Sequence, residues 1–233
     1  MSKGQILLEL QNISVSYGST RALDNVSLAV EPGEIVGVVG PNAAGKTTLF
    51  KVLARIIEQH EGTALFNGEP LATLPGSEIG YLGEEPFLFE FFTPAEMLLF
   101  ERTMRLPLLP EEEALGMLHT LALDDYLERP IKTLSHGFKK RVALAAAFLG
   151  KPSIMILDEP LNSIDIQAVI VLKRLIQEAL SRGAIVLMSS HVLDFFDGLI
   201  RRIVFLNQGS VHYAASDDPR TAEELYRSLF LAS

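Results

Sequence analysis

The sequence predicts an α/β protein in which a strand-rich core is interrupted by an all-helical insertion. Three observations predict it. Short apolar runs rich in β-branched residues recur at 34–39, 79–82, 153–157, 184–188 and 202–206, as in buried strands. From Thr93 to Gly150 the texture changes to almost continuous helical spacing. The length of 233 residues, with 48% hydrophobic and 21% charged residues, suits one sizeable globular domain carrying an inserted lobe.

The elements follow in order. The stretch from Ile6 to Tyr17 alternates apolar and polar residues, the signal of a half-buried strand. Ala29-Val30 ends a strand, and Glu31-Pro32-Gly33 turns the chain. Glu34 to Val39 is a buried strand, and Thr48 to Ile57 has helical spacing. Gly62 to Gly68 reads as a short strand closing on an Asn-Gly turn, and Ile79 to Leu82 as a further apolar strand. In the insertion, Thr93-Pro94-Ala95-Glu96 supplies a cap, a proline at the first helical position and a glutamate three residues on. Pro110 and the three glutamates after it begin another helix, with acidic residues where the helix dipole favours them. Val142 to Leu149 is an alanine-rich helix. Strands return at Ser153 to Leu157, Ala184 to Met188 and Arg202 to Leu206, with a helix from Ile166 to Ser181 and a C-terminal helix from Thr221 to Phe230.

Composition excludes several classes of function. A net charge of −9 lends no electrostatic support to a nucleic-acid partner, and none is expected. The absence of cysteine excludes disulfides, thiolate metal sites and cysteine nucleophiles. The first nine residues do not read as a signal peptide, because their apolar run is short and interrupted. No stretch approaches the ~18 apolar residues of a membrane span. A soluble chain is expected, with any membrane role reached through a partner.

Three motifs carry chemistry. Gly40-Pro41-Asn42-Ala43-Ala44-Gly45-Lys46-Thr47-Thr48 fits a glycine, four variable residues, then Gly-Lys-Ser/Thr. It lies between a strand and a helix, where backbone N–H groups and the positive end of the helix hold phosphate oxygens. Lys46 would reach the outer phosphates and the Thr47 hydroxyl would ligate Mg²⁺. The second motif is the apolar run Ile154 to Leu157 ending in Asp158-Glu159. At a buried strand tip Asp158 can support Mg²⁺, which leaves Glu159 to orient or deprotonate an attacking water. The third is Leu134-Ser135-His136-Gly137-Phe138, followed by Lys139-Lys140-Arg141. Ser135 can cap a helix, and with the N–H groups that follow it offers an anion site.

With these motifs in this order, the chain resembles the ATP-binding-cassette (ABC) family over nearly its whole length. Leu134, Ser135, Gly137 and Arg141 match the family signature, Leu-Ser-Gly-Gly-Gln with an arginine after two further residues. The resemblance implies a P-loop NTPase core of mixed sheet, with a parallel core and an N-terminal antiparallel β-subdomain, formed by residues 1–84 and 151–233. An all-helical subdomain, 85–150, is inserted into it. The implied cofactors are ATP and Mg²⁺. Residues Gly40 to Thr48 bind the phosphates; Lys46, Glu159 and His191 serve catalysis; Thr47, Glu84 and Asp158 surround Mg²⁺. Tyr17 matches the aromatic residue that stacks on adenine, although a tyrosine at a strand end reads equally as a surface side chain. His191, just after Val186 to Ser190, matches the switch histidine at the γ-phosphate, and Asp165 the loop that communicates across a dimer. Ser135, His136 and Gly137 are implied to hold the nucleotide of a second ABC subunit.

The chain departs from the family pattern at named positions. Ala43 stands where glycine is usual, which costs about 1–2 kcal/mol if the position needs positive φ. Glu84 stands where glutamine is usual; its carboxylate can ligate a hard cation but donates no hydrogen bond and adds a charge. His136 and Phe138 alter the signature, and Leu161 replaces a threonine. The expected function is an ATP-hydrolysing motor that pairs with a second ABC subunit and drives transport through a separate integral membrane subunit. The expected location is cytoplasmic and peripheral on the inner face of the membrane. The pattern Leu-Ser-x-Gly-aromatic, together with Glu84-Glu85-Pro86, looks most like exporter subunits. The alternative is a non-transport ABC ATPase acting as a scaffold or assembly factor. Four phenylalanines between Phe87 and Phe92 read either as a docking surface for the membrane subunit or as packing inside the helical lobe.

Overall fold

The computed structural model describes residues 7–191, 200, 202–216 and 221–230. Ile6, with which the first strand is expected to begin, lies outside them, as do the outermost residues of the expected core segments. The chain opens with an antiparallel pair, β1 (Leu8–Tyr17) and β2 (Thr20–Val30). It continues through β3 (Ile35–Val39) into α1 (Lys46–Leu53), then β4 (Glu61–Phe66), β5 (Glu69–Pro70) and β6 (Ile79–Leu82). The segment between β6 and β7 (Ile154–Leu157) holds α2 (Pro94–Arg105), α3 (Glu111–Thr120) and α4 (His136–Phe148). Its described residues form no strand. The remainder is α5 (Ile166–Ser181), β8 (Ile185–Ser189), β9 (Arg202–Asn207), β10 (Ser210–Ser216) and α6 (Ala222–Phe230).

Two sheets result. One is antiparallel, in the order β2-β1-β4-β5; the other runs β10-β9-β3-β8-β7-β6. In the second sheet β9, β3, β8, β7 and β6 are parallel, and β10 adds an antiparallel edge. The mixed sheet expected from the sequence is therefore present, with an antiparallel sheet built from the N-terminal segment.

The register explains the continuous apolar runs. A parallel sheet covered on both faces needs apolar side chains at every position rather than every second one. Val36 and Val38 of β3 join one core cluster, while Ile35 and Val39 join the other. Strands β7 and β8 divide alike: Ile154, Ile156, Ile185 and Leu187 share the cluster of β1, β2 and α1, whereas Met155, Leu157, Val186 and Met188 share that of the α2–α5 segment.

Helix starts follow local chemistry. Thr93 and Glu96 form a reciprocal capping box with Pro94 at the first position. Asp165 caps α5 by accepting from the Ala168 N–H at 2.9 Å. Among the described residues, no helix is long and apolar enough to cross a membrane.

Candidate functional site

The site forms where four parallel strands end. β3 runs into the glycine loop, β6 into Gly83-Glu84, β7 into Asp158-Glu159 and β8 into Ser189 to His191, the carboxyl edge where open α/β sheets place ligands. Gly40 must lack a Cβ, because one would collide with the Leu206 carbonyl. Gly45 closes the loop as the N-cap of α1 at φ 106°. That cap brings no side-chain hydrogen bond, and the first turn carries no acidic residue. The N-terminal N–H groups of α1 thus face the loop with their positive dipole end.

Ala43 is at φ 62°. The left-handed conformation that the sequence raised as a condition is therefore met, and alanine carries its Cβ against the backbone there. Glycine would remove about 1–2 kcal/mol of that strain and restore about 0.5–1 kcal/mol of unfolded-chain entropy. Ala43→Gly is expected to raise stability by up to about 1 kcal/mol in urea titration; a clear loss of stability would contradict the strain.

A cavity of about 560 Å³ is lined by Tyr17, Arg21, Asn42 to Thr48, Glu84, Asp158, Glu159 and His191. Its volume is that of an ordinary small-ligand pocket. Lys46 Nζ donates to the carbonyls of Gly40 at 2.7 Å and Pro41 at 3.1 Å. Burial pulls its ammonium below the usual lysine range, opposed by the carboxylates of Glu159, Asp158 and Glu84. Asp158, 1% exposed, is held at both oxygens: Thr47 Oγ1 donates to Oδ2 at 2.7 Å and Ser189 Oγ to Oδ1 at 2.6 Å.

Glu159 is 3% exposed and sits at φ 48°. Its N–H donates to Ser189 Oγ at 2.9 Å, and its Oε2 accepts the His191 N–H at 3.2 Å. Oε1 lies 3.3 Å from His191 Nε2, yet accepts no hydrogen bond among the described residues. Burial pushes the Glu159 carboxyl above its ordinary 4.5, while His191 draws it back down. A base must be ionised to accept a proton, so turnover falls as pH drops through the raised pKa. The acid limb of kcat/KM is expected above pH 4.5, and His191→Ala should move the limb of the residual rate upward. A limb that stays put in His191→Ala would refute the coupling.

The hydroxyl and carboxylates of Thr47, Asp158 and Glu84 are hard oxygen donors that suit Mg²⁺. Among the described residues no cluster of three His, Cys, Asp or Glu forms a metal cage.

Gly40 and Pro41 precede the stretch of the glycine loop that lines this cavity, and Ser135, His136, Gly137 and Asp165 lie outside it. Ser135 is exposed at the start of α4, where its Oγ accepts the Phe138 N–H at 3.4 Å. Gly137 packs so closely on the Ser163 carbonyl that a Cβ would intrude, and His136 lines a second cavity of about 400 Å³, which Glu84 also borders. Asp165 caps α5 and pairs with the buried Arg141. The signature segment is thus a second surface, outside the lining of the glycine-loop cavity.

Sequence reading missed several contributors. Ser189 is fully buried and ties the Asp158 side chain to the Glu159 backbone; its signal was a hydroxyl at the tip of the apolar run 184–188. Phe138 stacks on Tyr126, with centroids 4.1 Å apart, and lies under the Arg141 guanidinium. Lys140 is buried although it sits in a Lys-Lys-Arg run that reads as surface. The phenylalanine run divides between its two readings. Phe89 and Phe92 pack against the core and each other, whereas Phe87 and Phe91 are 79% and 80% exposed.

A glycine loop on a parallel strand, with a carboxylate pair at the tip of the next strand but one, defines a P-loop ATPase. The chain belongs to the ABC transporter family, whose profile matches residues 23–162. Over 97% of this chain it is 30% identical to the lantibiotic transport ATP-binding protein SrtF of Streptococcus pyogenes, covering 98% of that protein. It is 35% identical to the zinc import ATP-binding protein ZnuC of Pseudomonas aeruginosa over 91% of this chain and 75% of that one. The lipopolysaccharide export ATP-binding protein LptB of Acidithiobacillus ferridurans is 32% identical, over 97% and 96% of the two chains. A solved ATP-binding subunit of an ABC transporter superposes with TM-score 0.87 at 29% identity, covering 95% of this chain and 98% of its own. A dimeric cassette in a post-hydrolysis state with ADP and Pi shares the fold at TM-score 0.82 and 21% identity, over 92% and 100% of the two chains. The protein is the ATP-binding motor subunit of an ABC transporter and an ABC-type ATPase.

Proposed function

We propose that this subunit drives export through a separate membrane protein, working as a head-to-tail dimer in which each ATP lies between one chain's glycine loop and the other's signature helix. One observation carries the proposal: the capped N-terminus of α4, with exposed Ser135, stands outside the cavity lined by Asn42 to Thr48. A helix N-terminus of that kind suits an anion brought by a second chain. The same reading divides the chain into a core of 1–84 and 151–233 and a lobe of 85–150, so that the two half-sites belong to different parts of the chain.

In this mechanism Tyr17 supports the base and the loop N–H groups with Lys46 hold the outer phosphates. Thr47, Asp158 and Glu84 would hold Mg²⁺, which when bound neutralises charge on the phosphate oxygens. Glu159 accepts a proton from water as its oxygen attacks the γ-phosphorus; the bond to the bridging oxygen breaks, and ADP and phosphate leave. His191 orients Glu159 and faces the γ-phosphate. The aromatic signature residue Phe138 and Glu84 favour export, as do relatives named for lantibiotic transport and lipopolysaccharide export. The relative named for zinc import marks the opposite direction as the rival outcome.

The exposed Phe87 and Phe91 are the proposed contact with the membrane subunit, at the inner membrane face. The test is co-expression with the membrane subunit, followed by transport in inside-out vesicles. Export predicts ATP-dependent accumulation within them; ATP-dependent loss of preloaded substrate would indicate import. Phe87→Asp with Phe91→Asp is expected to abolish co-purification while isolated-subunit ATPase changes less than about twofold, since neither ring lines the cavity. Unimpaired co-purification would place the contact elsewhere.

A further inference from the structure

Lys140 is a buried ammonium that the mechanism above does not use. It is 4% exposed, and its hydrogen bonds go to two backbone carbonyls, those of Gly83 at 3.1 Å and Glu84 at 2.9 Å. A buried ammonium is costly to desolvate, and an apolar side chain of similar length would fill the space without that cost. What the ammonium supplies is a clamp on one loop. Just upstream, the Asp158 N–H donates to the Leu82 carbonyl at 2.8 Å. The backbone leading to Glu84 is thus pinned to the Asp158 strand on one side and to α4 on the other.

The placement of Lys140 on α4 gives the clamp a direction. The helix begins at the cap Ser135, and the residue after Lys140 is also committed: Arg141 donates to the Leu121 carbonyl at 3.1 Å and pairs with Asp165 at the cap of α5. A displacement of α4 therefore pulls on the Gly83-Glu84 carbonyls through Lys140. Glu84, which lines the nucleotide cavity, belongs to that stretch of backbone.

We propose that Lys140 is a positioning residue that sets Glu84 at the cation and water site and makes its setting depend on where α4 lies. Contact between α4 and the partner's nucleotide would then adjust Glu84 in the chain's own cavity. This deepens the proposed function and rests on its assignment of the α4 N-terminus to a second nucleotide.

The test is a double-mutant cycle between Lys140→Met and Glu84→Ala in the full-length chain. It reads the Mg²⁺ dependence of fluorescent-ATP affinity as well as turnover. Loss of a charged hydrogen-bond donor predicts that Lys140→Met raises the Mg²⁺ half-saturation about tenfold and lowers kcat by a similar factor, with affinity in EDTA kept within about twofold. Lys140→Arg should recover most of both effects. In the Glu84→Ala background, Lys140→Met should add less than about twofold. The proposal is overturned if Lys140→Met leaves the Mg²⁺ dependence unchanged, or if its full effect persists without the Glu84 carboxylate. It is equally overturned if Lys140→Met and Lys140→Arg lose EDTA affinity and thermal stability together. A wild-type chain that fails to dimerise with ATP would sink the proposed dimer instead, which keeps the two failures apart.

Discussion

Glu159→Gln is expected to lower kcat by at least about 10²-fold while ATP still binds. Among the described residues, the Glu159 carboxylate combines burial, a position beside His191 and an oxygen, Oε1, with no hydrogen-bond donor. Glutamine keeps the shape and can still accept the His191 N–H, but it cannot take a proton from water. Binding survives because the loop N–H groups, Lys46 and Thr47 are untouched. Stability at neutral pH should not fall either. The folded-state pKa of Glu159 is raised, so the folded chain favours the protonated form. Ionisation is therefore a destabilisation that grows as pH rises from 4.5 through the raised value, and the amide removes it. Single-turnover hydrolysis and nucleotide binding measured side by side give the check. Near-normal turnover would remove Glu159 from the role of base.

Ser135→Arg is expected to abolish ATP-induced dimerisation while one chain still binds ATP with an affinity within about twofold of wild type. Ser135 is exposed and outside the 560 Å³ cavity, so the chain's own nucleotide does not meet it. The substitution costs a helix cap, about 1 kcal/mol, and sets a long side chain over the N–H groups that an incoming phosphate would need. Ser135→Ala separates the two effects, since it removes the cap and leaves the surface open. Light scattering of the Glu159→Gln chain with ATP, with and without Ser135→Arg, is the measurement. A normal dimer in the double variant would place the second half of the site elsewhere.

How much of this was legible follows from the range of each interaction. Helix α5 begins and ends at the residues expected, because a cap at Asp165, an amphipathic period and the turn at Gly183 are all local. By contrast, β2 was seen only at its end and β10 not at all. In the first hairpin, Asn12 and Asn25 adopt positive φ near shifts in register, so the alternation on which a strand is recognised slips by a residue. The strand β10, Ser-Val-His-Tyr-Ala-Ala-Ser, has few large apolar residues and is defined by pairing with β9. The helix expected at Val142 and the cap expected at Ser135 belong to one helix, α4.

By itself the sequence determined the chemistry held by neighbours in the chain: the glycine loop, the carboxylates at a strand tip, the caps and the family order of motifs. These depend on φ, on hydrogen bonds a few residues long and on apolar period. Only the tertiary structure decided that Ser189 braces Asp158 from 31 residues away. It likewise decided that Phe138 answers Tyr126, that Phe87 and Phe91 face outward, and that the lysine in a surface-like run clamps Glu84. The period of an element tells which positions share a face, whereas the partner across that face is set by how distant segments pack.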